Sequence, residues 1–359
     1  YENTYLSEFG TDEQTEFWKL SNTLGVSMLE GFNKYVKFGL SAYATYEIRK
    51  FTQVEDRALY ITDRSAELSP APDFRVPHKG TENVAWVGGQ LTKQKGSILT
   101  YNADVRFGLL GSVVGDIDIS GNVTTRIPLW GDSLKISGFG YFKNEEVPYL
   151  LRNYVSNHFI WKNDFGKVRR FRVGGRLNIP HSGTFLEAGV ENMQNYVYFD
   201  NAGKPAQYGV HIQVLSLSAK QNLRFKALNW DNKLTYQTSS KESVLSLPKF
   251  AVYSNLYLKF LVAKVMHVQL GVDANYYTKY YAPGYMPATM AFHTQNEVKC
   301  GNFLWMNAYV NVKLKKTRFF LMFSHVNQGL FGGKEYFSLP HYPLNPRKFQ
   351  MGLSVDFAN

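Results

Sequence analysis

Three arginines, Arg170, Arg172 and Arg176, stand at even spacing in KVRRFRVGGRLNIP, with Phe171, Val173, Leu177 and Ile179 on the alternate positions. In an extended chain successive side chains point to opposite faces, so the guanidinium groups share one wet face and the apolar groups the other. The same arrangement places Lys37, Glu47 and Arg49 together, then Asp104 and Arg106, then Asp116, Asp118 and Arg126, then His267, Asp273 and Lys279, and finally Lys313 and Lys315. The chemistry open to such a set is electrostatic. Fixed charges lining a narrow passage change the free energy of an ion crossing it. Cations outnumber acids in this set, which predicts a mild preference for anions. The same ladder also fits arginines that pair with acids on neighbouring strands and only brace a wall, and both readings stay open at this level.

Covalent chemistry is not expected. His267 and Asp273 fall on one face, but six residues of strand separate them by roughly 20 Å, far beyond hydrogen-bond reach. A partner from a neighbouring strand is the remaining route. His158, His293 and His325 fall in loops or near strand ends. No serine elbow and no metal-ligand spacing is present. The chain is therefore read as a non-enzyme with no cofactor and no metal.

The elements that would carry these charges are long strands. In KVMHVQLGVDANYYTK, Met266, Val268, Leu270, Val272, Ala274 and Tyr276 oppose His267, Gln269, Asp273, Asn275 and Lys279. Soluble strands usually run about 5 to 6 residues, whereas a tilted strand crossing a bilayer needs about 9 to 11. Comparable alternation fills VKFGLSAYATYEIR, ILTYNADVRFGLL and DIDISGNVTTRI. The wet face carries too many charges for a packed core, and the apolar face is too regular to be left in water. A closed antiparallel barrel, with lipid outside and water inside, satisfies both.

Composition agrees with one large architecture. Across 359 residues no linker, charge block or low-complexity tract divides the chain. Aromatic residues make up 16%, enough for girdles at both membrane surfaces. The formal charge of +11 is spread singly along alternating strands and not along one helix, and no zinc-finger, phosphate-loop or dinucleotide pattern occurs, so nucleic acid is excluded as a partner. The single cysteine, Cys300, rules out an internal disulfide. No apolar run reaches the roughly 18 residues of a membrane helix.

Bookkeeping on the turns gives the topology, because barrels of this kind keep short turns on the periplasmic side and long loops outside. The long loops are 52–82, 144–166, 281–302 and 328–345, and residues 153–162 could add a short strand. The count is 15 spanning strands, the first descending from outside. An even number then asks for an ascending strand before Tyr1, so residues 1–359 are expected to form a single barrel of about 16 strands, allowing 14 to 18, that lacks an N-terminal portion. The chain starts at Tyr1 with no basic-then-apolar leader, which suits a processed chain or a fragment.

Four stretches carry a family resemblance: NYVSNHFIWKNDF, NYVYFDNAGKPAQ, APGYMPATMAFHTQNEVKCGNFLWMNAYVNVKLKKTRFFLMFSHVN and LFGGKEYFSLPHYPLNPRKFQMGLSVDF. Together they resemble the putative porin family of Bacteroidota outer membranes, over most of the chain from about residue 84. The resemblance implies an all-β transmembrane barrel in a bacterial outer membrane that passes small hydrophilic solutes by passive diffusion. A plugged barrel serving as accessory or scaffold subunit of a larger outer-membrane complex is the alternative. The last strand, with Phe349, Met351, Leu353, Val355 and Phe357 alternating, resembles the C-terminal signal read by barrel-assembly machinery, although Ala358 and Asn359 follow the final aromatic. Expected partners are outer-membrane lipid and lipopolysaccharide, that machinery during insertion, and other outer-membrane proteins.

Overall fold

A computed structural model describes residues 3–32, 34–58, 68–96, 98–129, 132–330 and 336–357. Its main sheet has fifteen strands, each hydrogen-bonded to its sequence neighbour in antiparallel order. They are β1 (Glu16–Met28), β2 (Gly39–Thr52), β3 (Lys79–Lys93), β4 (Leu99–Leu110), β5 (Ile117–Leu129), β6 (Asp132–Glu145), β7 (Val168–Ile179) and β8 (Thr184–Gln194). The meander continues through β9 (Ile212–Phe225), β10 (Leu228–Ser239), β11 (Phe250–Val262), β12 (Met266–Tyr277), β13 (Leu304–Leu314), β14 (Thr317–Ser324) and β15 (Lys348–Val355). Such a meander is the sheet of an up-and-down β-barrel. No helix among the described residues is long and apolar enough to cross a membrane.

Strand pairing keeps the two faces chemically distinct. Across β11, β12 and β13 one row reads Leu258, Leu270 and Val310, and the adjacent row reads Lys259, Gln269 and Asn311. Rows of the first kind leave Leu256, Leu270, Phe171, Leu217 and Leu353 exposed over the outer face. An apolar surface this continuous needs hydrocarbon around it, since soluble monomers rarely expose more than a few hundred Å² in one patch. On the polar face, close packing comes from small residues set beside large ones. Gly271 lies between Tyr257 and Tyr309, where a Cβ would come within 2.6 Å of the first and 2.8 Å of the second.

The longest connections gather at one end of the sheet, and the ten-residue connection 29–38 lies at the other. Of the described residues, 53–58, 68–78, 111–116, 146–167, 195–211, 240–249, 278–303, 325–330 and 336–347 lie at the first end with the segment before β1, while 180–183, 226–227, 263–265 and 315–316 close the other end tightly. At 263–265 both Ala263 and Lys264 have positive φ (50° and 61°), the backbone of a tight hairpin whose twist matches its strands. Buried apolar residues also cluster at the loop end: Tyr5, Ala58, Val76, Val155 and Ile160 pack together, and Met193, Ile212 and Val244 form another group.

Several boundaries differ from the expected ones. β2 begins at Gly39 and not at Val36, because Gly31 turns the preceding connection (φ 81°) and its N–H bonds the Val36 carbonyl at 3.0 Å. β8 stops short of Asn195, whose φ of 55° turns the chain into a separate hairpin, Tyr196–Phe199 with Pro205–Tyr208. Within 146–167 the chain makes a helical turn, Tyr149–Arg152, and a hairpin of Asn153–Val155 with Ile160–Lys162. Residues 281–302 hold only the short pair Gly284–Met286 with Ala291–His293 and no spanning strand. Parts of the loops at 52–82 and 328–345, and of the turn at 129–132, lie outside the described residues.

Candidate functional site: the charged inner face

The polar face near the loop end holds a continuous ion-pair network. On β2, Glu47 accepts two hydrogen bonds from Arg49, at 3.0 and 2.8 Å, and one from the Ser21 hydroxyl at 3.1 Å. Lys19 adds a contact at 3.7 Å. Glu82 of β3, opposite Arg49, accepts from Arg152 of the 146–167 loop at 2.6 Å. Arg152 also lies 3.5 Å from Glu146, and Lys167 bridges Glu146 and Asp116. Burial pushes the Glu146 carboxyl above its usual range, and Arg152 and Lys167 beside it only partly offset that. The guanidinium groups of Arg49 and Arg106 lie over the Trp86 ring at 5.1 and 5.5 Å. A cavity of about 730 Å³ opens among these groups.

The arginine ladder of β7 is paired. Register sets Arg176 against Glu187 and Arg172 against Glu191 of β8. Arg176 bonds Glu187 at 2.7 Å, Arg170 bonds Glu191 at 2.5 Å, and Arg172 lies 3.7 and 3.8 Å from the two carboxylates. Tyr141 donates to Glu191 at 2.8 Å, and the Phe139 ring carries Arg176 at 4.1 Å. Three guanidinium groups meet two carboxylates here, which leaves one positive charge in excess.

The remaining predicted residues divide by position. Arg106 and Asp118 face each other across β4 and β5, 3.5 Å apart, with Lys143 at 3.0 Å from Asp118. Asp104 lies beside the Tyr43 hydroxyl at 3.3 Å, and Asp273 accepts from the Asn307 amide at 2.8 Å. Arg126, His267 and Lys313 lie on the polar face toward the tight-turn end, at the ends of β5, β12 and β13. Four residues expected on strands lie off them. Lys37 belongs to the 29–38 connection, Asp116 to the 111–116 connection, Lys279 to the loop after β12, and Lys315 to the turn between β13 and β14. Two of these misplacements have a local cause. Asp116 accepts the Glu146 N–H at 3.0 Å and so ties two connections together instead of extending β5, and Lys315 adopts the turn's positive φ of 52°.

Partners missing from the predicted set are Glu82, Trp86, Tyr141, Lys143, Glu187 and Glu191 on strands, and Glu146, Arg152 and Lys167 in the loop. The strand residues carry the same alternation signal as those that were selected. The loop residues carry none, because 146–167 has no period. Among the described residues, no group of three His, Cys, Asp or Glu side chains is placed to hold a metal ion. His267 and Asp273 lie on one face of one strand and do not meet.

Residues 1–359 match the family model described as Putative porin. No curated protein matches the chain. Among solved structures, a variant of the ferric enterobactin receptor of Pseudomonas aeruginosa in complex with enterobactin superposes with a TM-score of 0.65 at 12% identity, over 96% of this chain and 54% of that one. The siderophore receptor PirA of Acinetobacter baumannii gives 0.64 at 11% identity, over 96% and 55%. The FrpB iron transporter of Neisseria meningitidis gives 0.54 at 11%, over 88% and 51%. The chain thus spans about half the length of these structures. Identities this low establish a shared fold, that of bacterial outer-membrane β-barrels. With its whole length covered by the family model and its strands superposed on outer-membrane barrels, the chain belongs to the putative porin family and is an outer-membrane protein.

Proposed function

We propose that this protein passes small hydrophilic solutes through the outer membrane by passive diffusion, with a mild preference for anions. The observation that carries the reading is the polar face itself. It is lined from one end of the strands to the other by charged and amide side chains, and its cations exceed the carboxylates that pair with them. Water and ions are the natural contents of such a lumen, since burying these charges dry would cost several kcal/mol per ion. The β7 ladder contributes little to selectivity, because its arginines are nearly neutralised by Glu187 and Glu191. The preference arises instead where cations lack carboxylate partners. The outer apolar face is assigned to lipid and lipopolysaccharide, and β15 to recognition by the assembly machinery.

Reversal potentials in a salt gradient across a planar bilayer test this directly: a potential of the sign set by anion flow is expected, and clear cation selectivity would refute the preference. One observation favours a second reading, an accessory barrel with a sealed mouth. The segment before β1, residues 53–58 and the 146–167 loop pack together over the loop end, with Asn157 holding the Leu6 and Ser7 amides at 2.8 and 2.9 Å. Swelling of liposomes in sugars of graded size separates the two, because a sealed lumen gives no swelling at all.

A further inference from the structure

Charge on the polar face is segregated along the strands. Toward the loop end Glu47, Glu82, Asp118 and Glu191 each hold one or more cations. Toward the tight-turn end Glu187 and Asp231 are taken up by Arg176 and Arg224, and beyond these pairs like charges stand directly opposite one another. Arg126 faces Lys135 across β5 and β6, and Lys220 faces Lys233 across β9 and β10. His267, Lys313 and Arg318 then form one row across β12, β13 and β14. Directly opposed like charges destabilise a sheet, with Cβ atoms only about 4.5–5.5 Å apart. A row of this kind is held without penalty when an anion bridges it.

The row on β12 to β14 has the shape of a site as well as the charge. With Lys259 of β11 it lines a cavity of about 540 Å³ on the polar face. The next row toward the membrane centre is Gln269 and Asn311, which offer neutral amide donors. Phe320, opposite Asn311 and lying over Gly352, walls the far side. The carboxylate nearest the row is Asp356, 3.7 Å from Arg318. Both side chains of that pair are about three-fifths exposed, so it is a surface pair that yields readily to a better ligand. Asp273, farther along β12, is engaged by Asn307.

We propose that this cavity is a binding site for small multiply charged oxyanions, such as phosphate esters and pyrophosphate, in which Lys313 and Arg318 supply the charge and His267 and Lys259 complete the ring of donors. Arg318 can offer a planar fork to two oxygens of one phosphate, while Lys313 and Lys259 act as point charges. The site deepens the proposed anion preference and rests on the polar face being a solvated lumen. It places the anion-selecting charges at the tight-turn mouth, opposite the loops.

Titrating inorganic pyrophosphate calorimetrically into the full-length protein in neutral detergent at low salt tests the site. The expected result is saturable binding that weakens ~10-fold or more in Lys313→Gln/Arg318→Gln, as loss of two close charges from a charge-assisted site requires. Lys313→Arg/Arg318→Lys is expected to keep most of it, and Lys226→Gln, which removes a cation from a neighbouring turn, to keep all of it. Heat-modifiable migration on a gel shows that each variant retains its barrel. The proposal is overturned if wild-type protein gives no saturable binding, or if Lys226→Gln weakens binding as much as the double change does. Conductance separates this from the wider reading: binding without current leaves the site and removes the pore, and current without binding does the reverse.

Discussion

Glu191 shows how much of the inner wall depends on single carboxylates. It is 9% exposed and serves Tyr141, Arg170 and Arg172 at once. Replacement by Gln keeps the shape and one acceptor oxygen but removes the charge that both arginines share. Hydrogen bonds to a charged group contribute about 1.5–3 kcal/mol each, so Glu191→Gln is expected to cost the folded barrel about 2 kcal/mol. Urea unfolding in micelles reads this as a lower midpoint with unchanged slope. A loss below about 0.5 kcal/mol would place the cluster with ordinary surface pairs. The ladder's face is legible in the sequence, because alternation alone puts Arg170, Arg172 and Arg176 together. Its partners are not. Which acid meets which arginine depends on the register of β7 against β8, and a one-residue slip would carry Glu187 and Glu191 to the lipid side.

Whole strands are likewise readable from one period, and their ends are not. Length and alternation locate β2 and β12, but nothing in VKFG announces that residues 29–38 fold as a unit before β2 begins. What holds that unit is distant in sequence: the Glu30 carboxylate accepts the N–H groups of Gln94 and Lys95, at 2.7 and 3.0 Å, and so clips two neighbouring connections together. Those bonds, first from Lys95 and then from Gln94, hold the Glu30 carboxyl below its ordinary value of 4.5. A carboxyl with a lowered folded value stabilises fully above the ordinary value and ceases to do so as pH falls through the lowered one. Amide protection at Gln94 and Lys95, corrected for intrinsic exchange, is therefore expected to hold at neutral pH and to fade on acidification. In Glu30→Gln the protection should be weaker and flat across the same range. Equal acid sensitivity in that variant would assign the effect to another group.

At the scale of the molecule, two asymmetries are superposed on one sheet. Apolar and polar side chains divide it by face, which fixes lipid outside and water inside; long loops and tight turns divide it by end, which fixes its direction in the membrane. The second division makes a prediction that the first does not. Ser243 is exposed in the 240–249 loop and Ala227 is exposed in the 226–227 turn, at opposite ends of the strands. The native thiol does not interfere, since Cys300 is 4% exposed and burial pushes its ionisation up, away from the reactive thiolate. With outer-membrane barrels keeping long loops outside, a membrane-impermeant maleimide added to intact cells is expected to label Ser243→Cys and to spare Ala227→Cys. Permeabilising the outer membrane should then expose the second site. Labelling of Ala227→Cys alone in intact cells would invert the barrel, and with it the side from which pyrophosphate reaches the row of Lys313 and Arg318.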